Sequence, residues 1–397
     1  MFWEGWLKKI LNLVIDLKYC KECLTTNLRP NASFNESGIC IACHFSEKQD
    51  QTSTSFKLKL LQNKIKESIK KKRSKSDYDC IVGVSGGKDS TRQAHWVRDR
   101  LGLRPLLICA AYPPEQMSQI GADNLSNLIE MGFDLIVDTP APKSAAKLSL
   151  ESFKQFGNVS KSTEMSLFST VPRLAIDLNI GLIFWGENPA LQVGDSAVEG
   201  IDEFDGNRLR NLNTLTEGGA DWIYNSLDKK YLKDHYIYPD SISFEKRKID
   251  IFYLGPAWDD WSNDSNSIYA SLQGLSLRPG EEDITGDITN ASMVDEEFTN
   301  INMMLKYYKF GFGRTSDDVN ERIRKKLITR NEGIKIAERY DGVCSDKIIN
   351  SFCKYVGISN DDFWHIANKY VNKEIFHVQE DARPIKKFTV GVDCYDD

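Results

Sequence analysis

Residues 77–97 read DYDCIVGVSGGKDSTRQAHWV, and this stretch decides the fold of the chain around it. The apolar run Cys80–Val84 is typical of a buried strand, and the residues from Asp89 onward have helical spacing. Between the two lie Ser-Gly-Gly and Lys88. A glycine-rich turn at a helix N-terminus presents free backbone N–H groups and a partial positive charge, which favour an anion. The stretch therefore predicts a strand–loop–helix phosphate site.

The loop differs from the Walker A motif, in which four residues separate the glycines and Ser or Thr follows the lysine. Here three residues separate Gly83 from Gly87, and Asp89 follows Lys88. We expect the loop N–H groups and hydroxyls to bind phosphate, Lys88 to neutralise it and Asp89 to orient a Mg²⁺ ion bound to it. The predicted phosphate-binding residues are Ser85, Gly86, Gly87, Lys88, Asp89 and Ser90.

Further strands and helices alternate along the chain after this loop. Short apolar runs predict strands, and the segments between them have helical periodicity. Such alternation favours a parallel sheet with helices on both faces, so we predict an α/β fold with a five-stranded parallel sheet. The predicted strands are Cys80–Val84, Leu106–Ala111, Phe133–Asp138, Ile180–Trp185 and Ile249–Leu254.

The remaining segments define the predicted domain organisation. A polar, glycine-rich insertion between the fourth and fifth strands predicts loops near the mouth of a site. After residue 263 the strand signals fade and helical periodicity dominates. We predict an amphipathic helix in 1–17, a zinc-ribbon-like unit in 18–48, a linker and basic helix in 49–76, an α/β domain that carries the phosphate loop in 77–262 and a mostly helical substrate or partner region in 263–397.

Four cysteines near the N-terminus form two CxxC pairs, Cys20 with Cys23 and Cys40 with Cys43. Sixteen residues separate the pairs, which is the spacing of a zinc site with four thiolate ligands. Because all four positions are cysteine, none stays open for water, and the predicted Zn²⁺ is structural. Such a site can contribute on the order of 10 kcal/mol to folding. Binding modules carry similar units, so zinc alone does not decide function.

Composition narrows the class of protein. The 397 residues include 51 basic and 57 acidic side chains, a formal charge of −6, which argues against nucleic acid as the main partner. The cysteines outside the two CxxC pairs show no disulfide framework, and the apolar N-terminal stretch is interrupted by charges without a cleavage site. It is not a spanning helix, and we predict no transmembrane segment. We therefore expect a cytoplasmic protein.

The segment 85–90, SGGKDS, resembles the signature of the PP-loop ATPases. This resemblance implies that the loop holds the β- and γ-phosphates of ATP, that an acceptor oxygen is adenylated and that pyrophosphate leaves. It also implies a sheet of the adenine-nucleotide α-hydrolase type. In that fold the adenine lies at the end of the second strand, here at Ala111 and Tyr112, and the acceptor faces the loop after the fourth strand, here from Gly186.

Three further stretches resemble one branch of these enzymes, the N-acetyl sugar amidotransferases of bacterial surface-polysaccharide and flagellin-glycan pathways. They are STVPRLAIDLNIGLIFWGENPA at 169–190, the FGFGR-containing stretch at 306–342 and the N-terminal CxxC pairs. The resemblance implies that the amide oxygen of an N-acetyl sugar, free or nucleotide-linked, is adenylated. Ammonia then displaces AMP and an acetamidino sugar results.

Four residues are candidates for contact with the acceptor. Glu187 and Asn188 follow the fourth strand, where ligands of parallel sheets gather, and we expect them to contact the sugar amide or the α-phosphate. A structural turn is the alternative for both. Arg314 can pair with a sugar carboxylate or a nucleotide phosphate, or it can be a structural arginine. His235 is a further candidate substrate residue.

The source of ammonia is not visible in the chain. A glutaminase of the cysteine–histidine type needs its cysteine in a glycine-flanked elbow. Cys40 has Gly38 before it, but Ala42 follows and Cys40 belongs to the zinc site. Position 2 is Phe2, so an N-terminal cysteine nucleophile is absent as well. We predict a separate glutaminase partner and, as the resemblance implies, a barrel-type subunit that channels ammonia.

Two other interpretations stay open. Several tRNA-thiolating PP-loop enzymes also carry zinc knuckles ahead of the loop, but they tend to need cysteines near the nucleotide and a basic RNA-binding face. Cys80 and Cys109 fall inside predicted core strands, and the chain is acidic. A zinc-bearing scaffold without activity would require a degenerate loop, whereas this loop is intact.

Overall fold

A five-stranded sheet lies at the centre of the α/β region in the computed structural model, which describes residues 17–49, 54–71, 76–186, 206, 219–228, 234–258, 260–379 and 381–394. Its strands are β1 Cys80–Val84, β2 Pro105–Ala110, β3 Asp134–Asp138, β4 Leu182–Trp185 and β5 Asp250–Tyr253. They pair in parallel in the order β3-β2-β1-β4-β5. The predicted α/β fold is confirmed. The helix predicted for 1–17 lies, except for Leu17, outside the described residues.

Helices follow most strands and form most of the C-terminal region. The first two are α1 Ile41–Gln49 and α2 Thr54–Lys71; the α/β region adds α3 Lys88–Asp99, α4 Gln119–Glu130, α5 Pro142–Phe156, α6 Lys161–Asp177, α7 Asp221–Ser226 and α8 Ser241–Arg247. The C-terminal region contains α9 Asn263–Leu272, α10 Glu282–Thr285, α11 Thr299–Phe310, α12 Arg314–Arg324, α13 Arg330–Tyr340, α14 Asp346–Val356, α15 Asn360–Ala367 and a hairpin of β6 Phe376–His377 and β7 Ile385–Lys386. Within the described residues, none of the helices combines the length and apolar character needed to cross a membrane.

Helices cover both faces of the sheet, as expected for a parallel sheet whose central strands β1 and β2 are buried along nearly their whole length. On one face pack apolar side chains of α2, α3 and α4, among them Leu61, Val97 and Leu128. On the other pack those of α6 and α8, including Ala175 and Phe244. The strand order reverses between β1 and β4, and parallel sheets bind ligands at the carboxyl ends of strands at such a switch point.

The helical region shares a hydrophobic core with helix α5 of the α/β region. The Phe153 ring of α5 packs on Phe352 of α14 and Phe363 of α15, with ring centroids 6.0 and 5.0 Å away. Gly157 ends α5 with φ of +58°, and a Cβ there would lie 2.4 Å from the Tyr370 ring. Only glycine fits this close approach in a left-handed conformation. The two regions are therefore packed together through α5.

The four predicted zinc ligands lie together. Cys20, Cys23, Cys40 and Cys43 are buried, and their sulfur atoms all lie within 4.8 Å of one another. The Cys23 and Cys40 sulfurs are 3.7 Å apart; tetrahedral Zn–S bonds of about 2.3 Å place sulfurs about 3.8 Å apart. The Cys40 N–H donates to Cys20 Sγ at 3.2 Å, which stabilises a thiolate. The cluster could hold a zinc ion.

The cysteine unit packs on two helices of the C-terminal region. The Leu24 N–H donates to Asn320 Oδ1 of α12 at 2.6 Å. Arg330 Nε of α13 donates to the Cys23 carbonyl at 3.2 Å. Arg29 pairs with Asp317, three residues before Asn320 on the same side of α12. The cysteine unit is therefore packed against the C-terminal helical region, and its geometry influences the position of α12.

Replacing Cys23 with Ser should destabilise the helical region as well as the cysteine unit. We expect Cys23→Ser to lower Tm by at least about 5 °C, because a lost structural zinc costs several kcal/mol and one kcal/mol shifts Tm by roughly 2–4 °C in chains of 150–250 residues. Circular dichroism during heating measures the shift. Cys394→Ser, outside the cluster, is the matched control. Equal melting of both variants and the parent chain would contradict a stabilising metal.

Candidate active site

The predicted phosphate loop joins β1 to α3 at the switch point of the sheet. Gly86 has φ of +81°, and Gly87 is extended and precedes α3 without a side-chain cap. A Cβ on Gly86 would lie 3.2 Å from the Gly121 carbonyl oxygen of α4, so the loop is pressed against that helix. The first N–H groups of an uncapped helix need partners from outside the helix. The loop therefore has a geometry suited to a phosphate group.

Lys88 and Asp89 form an ion pair at the start of α3. Lys88 Nζ lies 2.7 Å from Asp89 Oδ2, and Lys88 is buried. Asn266 of α9 donates to Asp89 Oδ1 at 2.6 Å, so the carboxylate is held between the loop and α9. Within the described part of the chain, only the four cysteines form a preformed group of three or more metal-binding side chains. A Mg²⁺ ion at Asp89 would thus depend on phosphate oxygens and water for its other ligands, as Mg²⁺ commonly does.

Arg92, one turn further along α3, ties the loop helix to the segment before α9. Its Nη1 donates to Asn266 Oδ1 at 2.7 Å, and its Nη2 donates to both oxygens of Asp260 at 2.7 and 2.8 Å. The guanidinium also lies over the Trp258 ring, 5.0 Å from its centroid. Sequence analysis selected neither Arg92 nor Asn266, because no motif marks them. Lys88 and Asn266 thus hold Asp89 from two sides, and Arg92 in turn holds Asn266.

A cleft lies at the carboxyl end of β2, where the resemblance places the adenine. Its walls include the predicted residues Ala111 and Tyr112, Pro140 after β3, Ser166 of α6 and Tyr236. The lining combines apolar surface with a few hydroxyl groups, a composition typical of small-molecule sites. The contact residues at this edge stay predictions.

Asp295, between α10 and α11, connects the end of β2 with the phosphate loop. Its Oδ2 accepts a hydrogen bond from the Tyr112 hydroxyl at 3.0 Å. Burial raises the pKa of Asp295, whereas the hydroxyls of Tyr112 and Ser85 and the charge of Arg278 lower it. Burial also raises the pKa of the neighbouring Glu296 to about 7. Sequence analysis missed Asp295, because its partner Tyr112 is 183 residues away along the chain.

Gly186 ends β4 beside α3. A Cβ at Gly186 would lie 2.0 Å from Gln93 Nε2 and 2.7 Å from Trp261 Cη2, so a larger residue here would require these side chains to move. Its carbonyl accepts hydrogen bonds from the N–H groups of Leu254 and Gly255 at 3.1 and 2.6 Å. The end of β4 is therefore close to the phosphate-loop helix, as the PP-loop resemblance implies.

Two predicted acceptor residues, Glu187 and Asn188, lie outside the described residues. His235 is described and lies at the carboxyl end of β3. Its Nδ1 is 3.1 Å from Asp138 Oδ2, and Arg173 of α6 pairs with the same carboxylate. The His235 hydrogen bond, followed by the charges of His235 and Arg173, lowers the pKa of Asp138 against the effect of burial. His235 is thus engaged with Asp138 next to the cleft that Tyr236 lines.

Arg314 begins α12 and is buried. Its Nη1 donates to Asn300 Oδ1 at 3.0 Å, and its Nη2 contacts Met293 Sδ at 3.0 Å. The charges of Arg314 and of Lys88 both lower the pKa of Asp318, one helical turn further along α12. The predicted substrate residue Arg314 and the loop lysine therefore act on a common carboxylate. Sequence analysis did not select Asp318, whose only signal is its i+4 spacing from Arg314.

Comparison with known families adds one match. Residues 290–389 match the model of the C-terminal domain of WbpG-like LPS biosynthesis proteins. A search of curated proteins found no match to the chain. The matched range includes Asp295, which accepts the Tyr112 hydrogen bond, and helix α12 with Arg314. The match agrees with the predicted family, because both belong to surface-polysaccharide biosynthesis. Residues 290–389 are thus similar to the C-terminal domain of WbpG-like LPS biosynthesis proteins.

Proposed function

We propose that the protein is an ATP-dependent amidotransferase of surface-polysaccharide biosynthesis. It adenylates the amide oxygen of an N-acetyl sugar, and ammonia from a separate glutaminase displaces AMP to give an acetamidino sugar. One observation supports the proposal: the range that matches LPS biosynthesis proteins interacts with the edge of the sheet that carries the SGGKDS loop. Within that range, Asp295 accepts a hydrogen bond from Tyr112 at the end of β2, and the charge of the loop residue Lys88 lowers the pKa of Asp318.

In this proposal the loop aligns ATP and stabilises charge rather than supplying a nucleophile. The loop N–H groups and Lys88 bind the β- and γ-phosphates. Asp89 would hold a Mg²⁺ ion on these phosphates, and the ion would supply positive charge against that of the pyrophosphate. The amide oxygen attacks the α-phosphate, a step that needs alignment and charge stabilisation above all. Glu187 and Asn188, next to the end of β4, are proposed to orient the amide. Zn²⁺ at the four cysteines has a structural role only.

Four of the five cysteines outside the cluster argue against the tRNA-thiolating alternative. Burial raises the pKa of Cys80 well above its ordinary value and that of Cys109 to about 12. Burial also raises the pKa of Cys344 to about 12 and that of Cys353 to about 11. The thiolate is the reactive form of cysteine, so these four are poor nucleophiles near neutral pH. The same argument weighs against a glutaminase built on any of them.

Removing the loop lysine should abolish adenylation. We expect Lys88→Ala to lower ATP–pyrophosphate exchange, measured with labelled pyrophosphate and a panel of acetamido sugars and nucleotide sugars, by at least about 100-fold, the scale of losing one charge-stabilising group. Lys387→Ala is the control, because that exposed lysine bonds only a backbone carbonyl of its own region.

A panel in which no acetamido sugar stimulates exchange, while unmodified tRNA does, would overturn the proposal in favour of thiolation. Full exchange by Lys88→Ala would show that the loop does not hold the phosphates as proposed. Zinc content by elemental analysis should be the same in Lys88→Ala and the parent chain, because the cysteine unit packs on α12 and α13 rather than on the loop.

The isolated chain should use ammonium but not glutamine. Because burial keeps Cys80, Cys109, Cys344 and Cys353 protonated, no glutamine hydrolysis by these thiols is expected. Mass spectrometry of the sugar measures conversion of acetamide to acetamidine, a loss of one oxygen and a gain of NH. Ammonium should support it and glutamine should not, unless a glutaminase is added. Turnover of glutamine by the purified chain alone would contradict the predicted separate partner.

A further inference from the structure

Asp318 is a buried carboxylate with one oxygen unused by the fold. It lies on α12, its side chain is almost fully enclosed at 5% exposure, and its Oδ1 accepts a hydrogen bond from Asn263 Nδ2 at 2.8 Å. Its Oδ2 is buried without a hydrogen-bond partner. Burying an unpaired carboxylate oxygen is costly, and such groups tend to be kept for function rather than for stability. The position is therefore unusual for a structural aspartate.

The groups around Asp318 come from three elements. Lys88 belongs to the phosphate-loop helix α3, Arg314 and Asp317 belong to α12, and Asp287 follows α10. Burial, and then the charge of Asp287, raise the pKa of Asp318 to about 8, while Arg314 and Lys88 lower it and Asp317 raises it. A carboxyl group with a pKa in this range is suited to exchanging protons near neutral pH.

Two structural explanations do not account for the free oxygen. Arg314 directs its Nη atoms to Asn300 and Met293, and its Nε is itself buried without a partner, so no bond to Asp318 uses the guanidinium. A metal site is not preformed, because in the described part of the chain only the cysteines form a group of three or more potential ligands. The oxygen is thus left for a hydrogen-bond donor.

The proposed reaction supplies such a donor. When ammonia attacks the adenylated amide, its nitrogen becomes positively charged and must lose a proton before the product is formed. A base within hydrogen-bond reach of that nitrogen typically accelerates such a step by about 10²–10⁴-fold. Among the predicted loop residues, Lys88 is cationic and Asp89 is already bonded to Lys88 and Asn266.

We infer that Asp318 is the catalytic base of the amination step and accepts the proton of the incoming ammonia through Oδ2. This inference rests on the proposed function. In the step, the ammonia nitrogen forms a bond to the amide carbon of the adenylated N-acetyl group, which still carries its N–H and a positive charge. The bond from that carbon to the AMP oxygen breaks, and its electron pair leaves with AMP. One proton passes from the new nitrogen to Asp318, which leaves a neutral carboxylic acid and an amidinium product.

The test compares two nitrogen nucleophiles in Asp318→Asn. Adenylation should persist, with ATP–pyrophosphate exchange within a few-fold of the parent chain. Amidine formation from ammonia should fall at least about 100-fold, the scale of a lost general base. Hydroxylamine is a weaker base than ammonia, and its adduct loses a proton to water readily, so amidoxime formation should fall less than about 10-fold. A merely structural role would affect both nucleophiles alike.

Asp283→Asn is the matched control, the same substitution on the surface of the helical region. The Asp283 side chain is 75% exposed and pairs with Arg339, so the ratio of rates with the two nucleophiles should not change. The unsubstituted chain gives an independent measurement. At constant free ammonia its amination rate should fall as pH decreases below about 8, because protonated Asp318 cannot accept a proton, whereas the hydroxylamine rate should fall less.

Equal losses with ammonia and hydroxylamine in Asp318→Asn, or a loss of pyrophosphate exchange, would overturn the inference. So would parallel pH profiles for the two nucleophiles in the unsubstituted chain. If the proposed function itself is wrong, the result differs, because the unsubstituted chain would then show no sugar-dependent ATP–pyrophosphate exchange at all. Thermal unfolding gives an additional check. Because burial raises the pKa of Asp318, its ionised carboxylate destabilises the fold at pH values above the pKa of an unfolded aspartate. At pH 8, the melting temperature of Asp318→Asn should therefore be no lower than that of the parent chain.

Discussion

The site depends on the position of helix α12 between the cysteine unit and the phosphate loop. On one side, Asp317 and Asn320 bond Arg29 and Leu24 of the cysteine unit. On the other, Asp318 accepts a hydrogen bond from Asn263, which begins α9. Residues three and four apart lie on one side of a helix, so Asp317 and Asn320 share the side of α12 that faces the cysteine unit, whereas Asp318 lies on another side. The structural role of the cysteines thus extends to the placement of Asp318.

Helix α9 completes this connection between the helical region and the α/β region. Asn266 bonds both Asp89 of the loop and Arg92 of α3, and Asp264 pairs with Arg322 of α12 at 2.6 Å. The loop carboxylate is therefore positioned by a helix that α12 in turn holds. This arrangement explains why the phosphate loop is not a self-contained unit here. Helix α12 belongs to the range 290–389 that matches LPS biosynthesis proteins.

Local sequence patterns predicted the framework, because strand periodicity and loop chemistry are local properties. Strand β1 lies at the predicted Cys80–Val84, and the other strands begin and end within two residues of prediction. Helix α5 was not predicted, although its Phe153 reaches the core of the C-terminal region. Asp295 and Asp318 could not be recognised from sequence, since their roles depend on contacts with segments far away in the chain and on burial. Neither Asp295 nor Asp318 lies in a sequence motif that would have identified it.

The central claim is that the amide oxygen of an N-acetyl sugar attacks the α-phosphate of ATP. Labelling that oxygen with ¹⁸O tests it directly. After turnover with ammonia, the label should be found in the phosphate of AMP, because the carbon–oxygen bond of the amide breaks and the oxygen leaves with the adenylate. Mass spectrometry of AMP, pyrophosphate and sugar locates it. Recovery of ¹⁸O in inorganic phosphate or pyrophosphate, or its retention in the product sugar, would contradict adenylation of the amide.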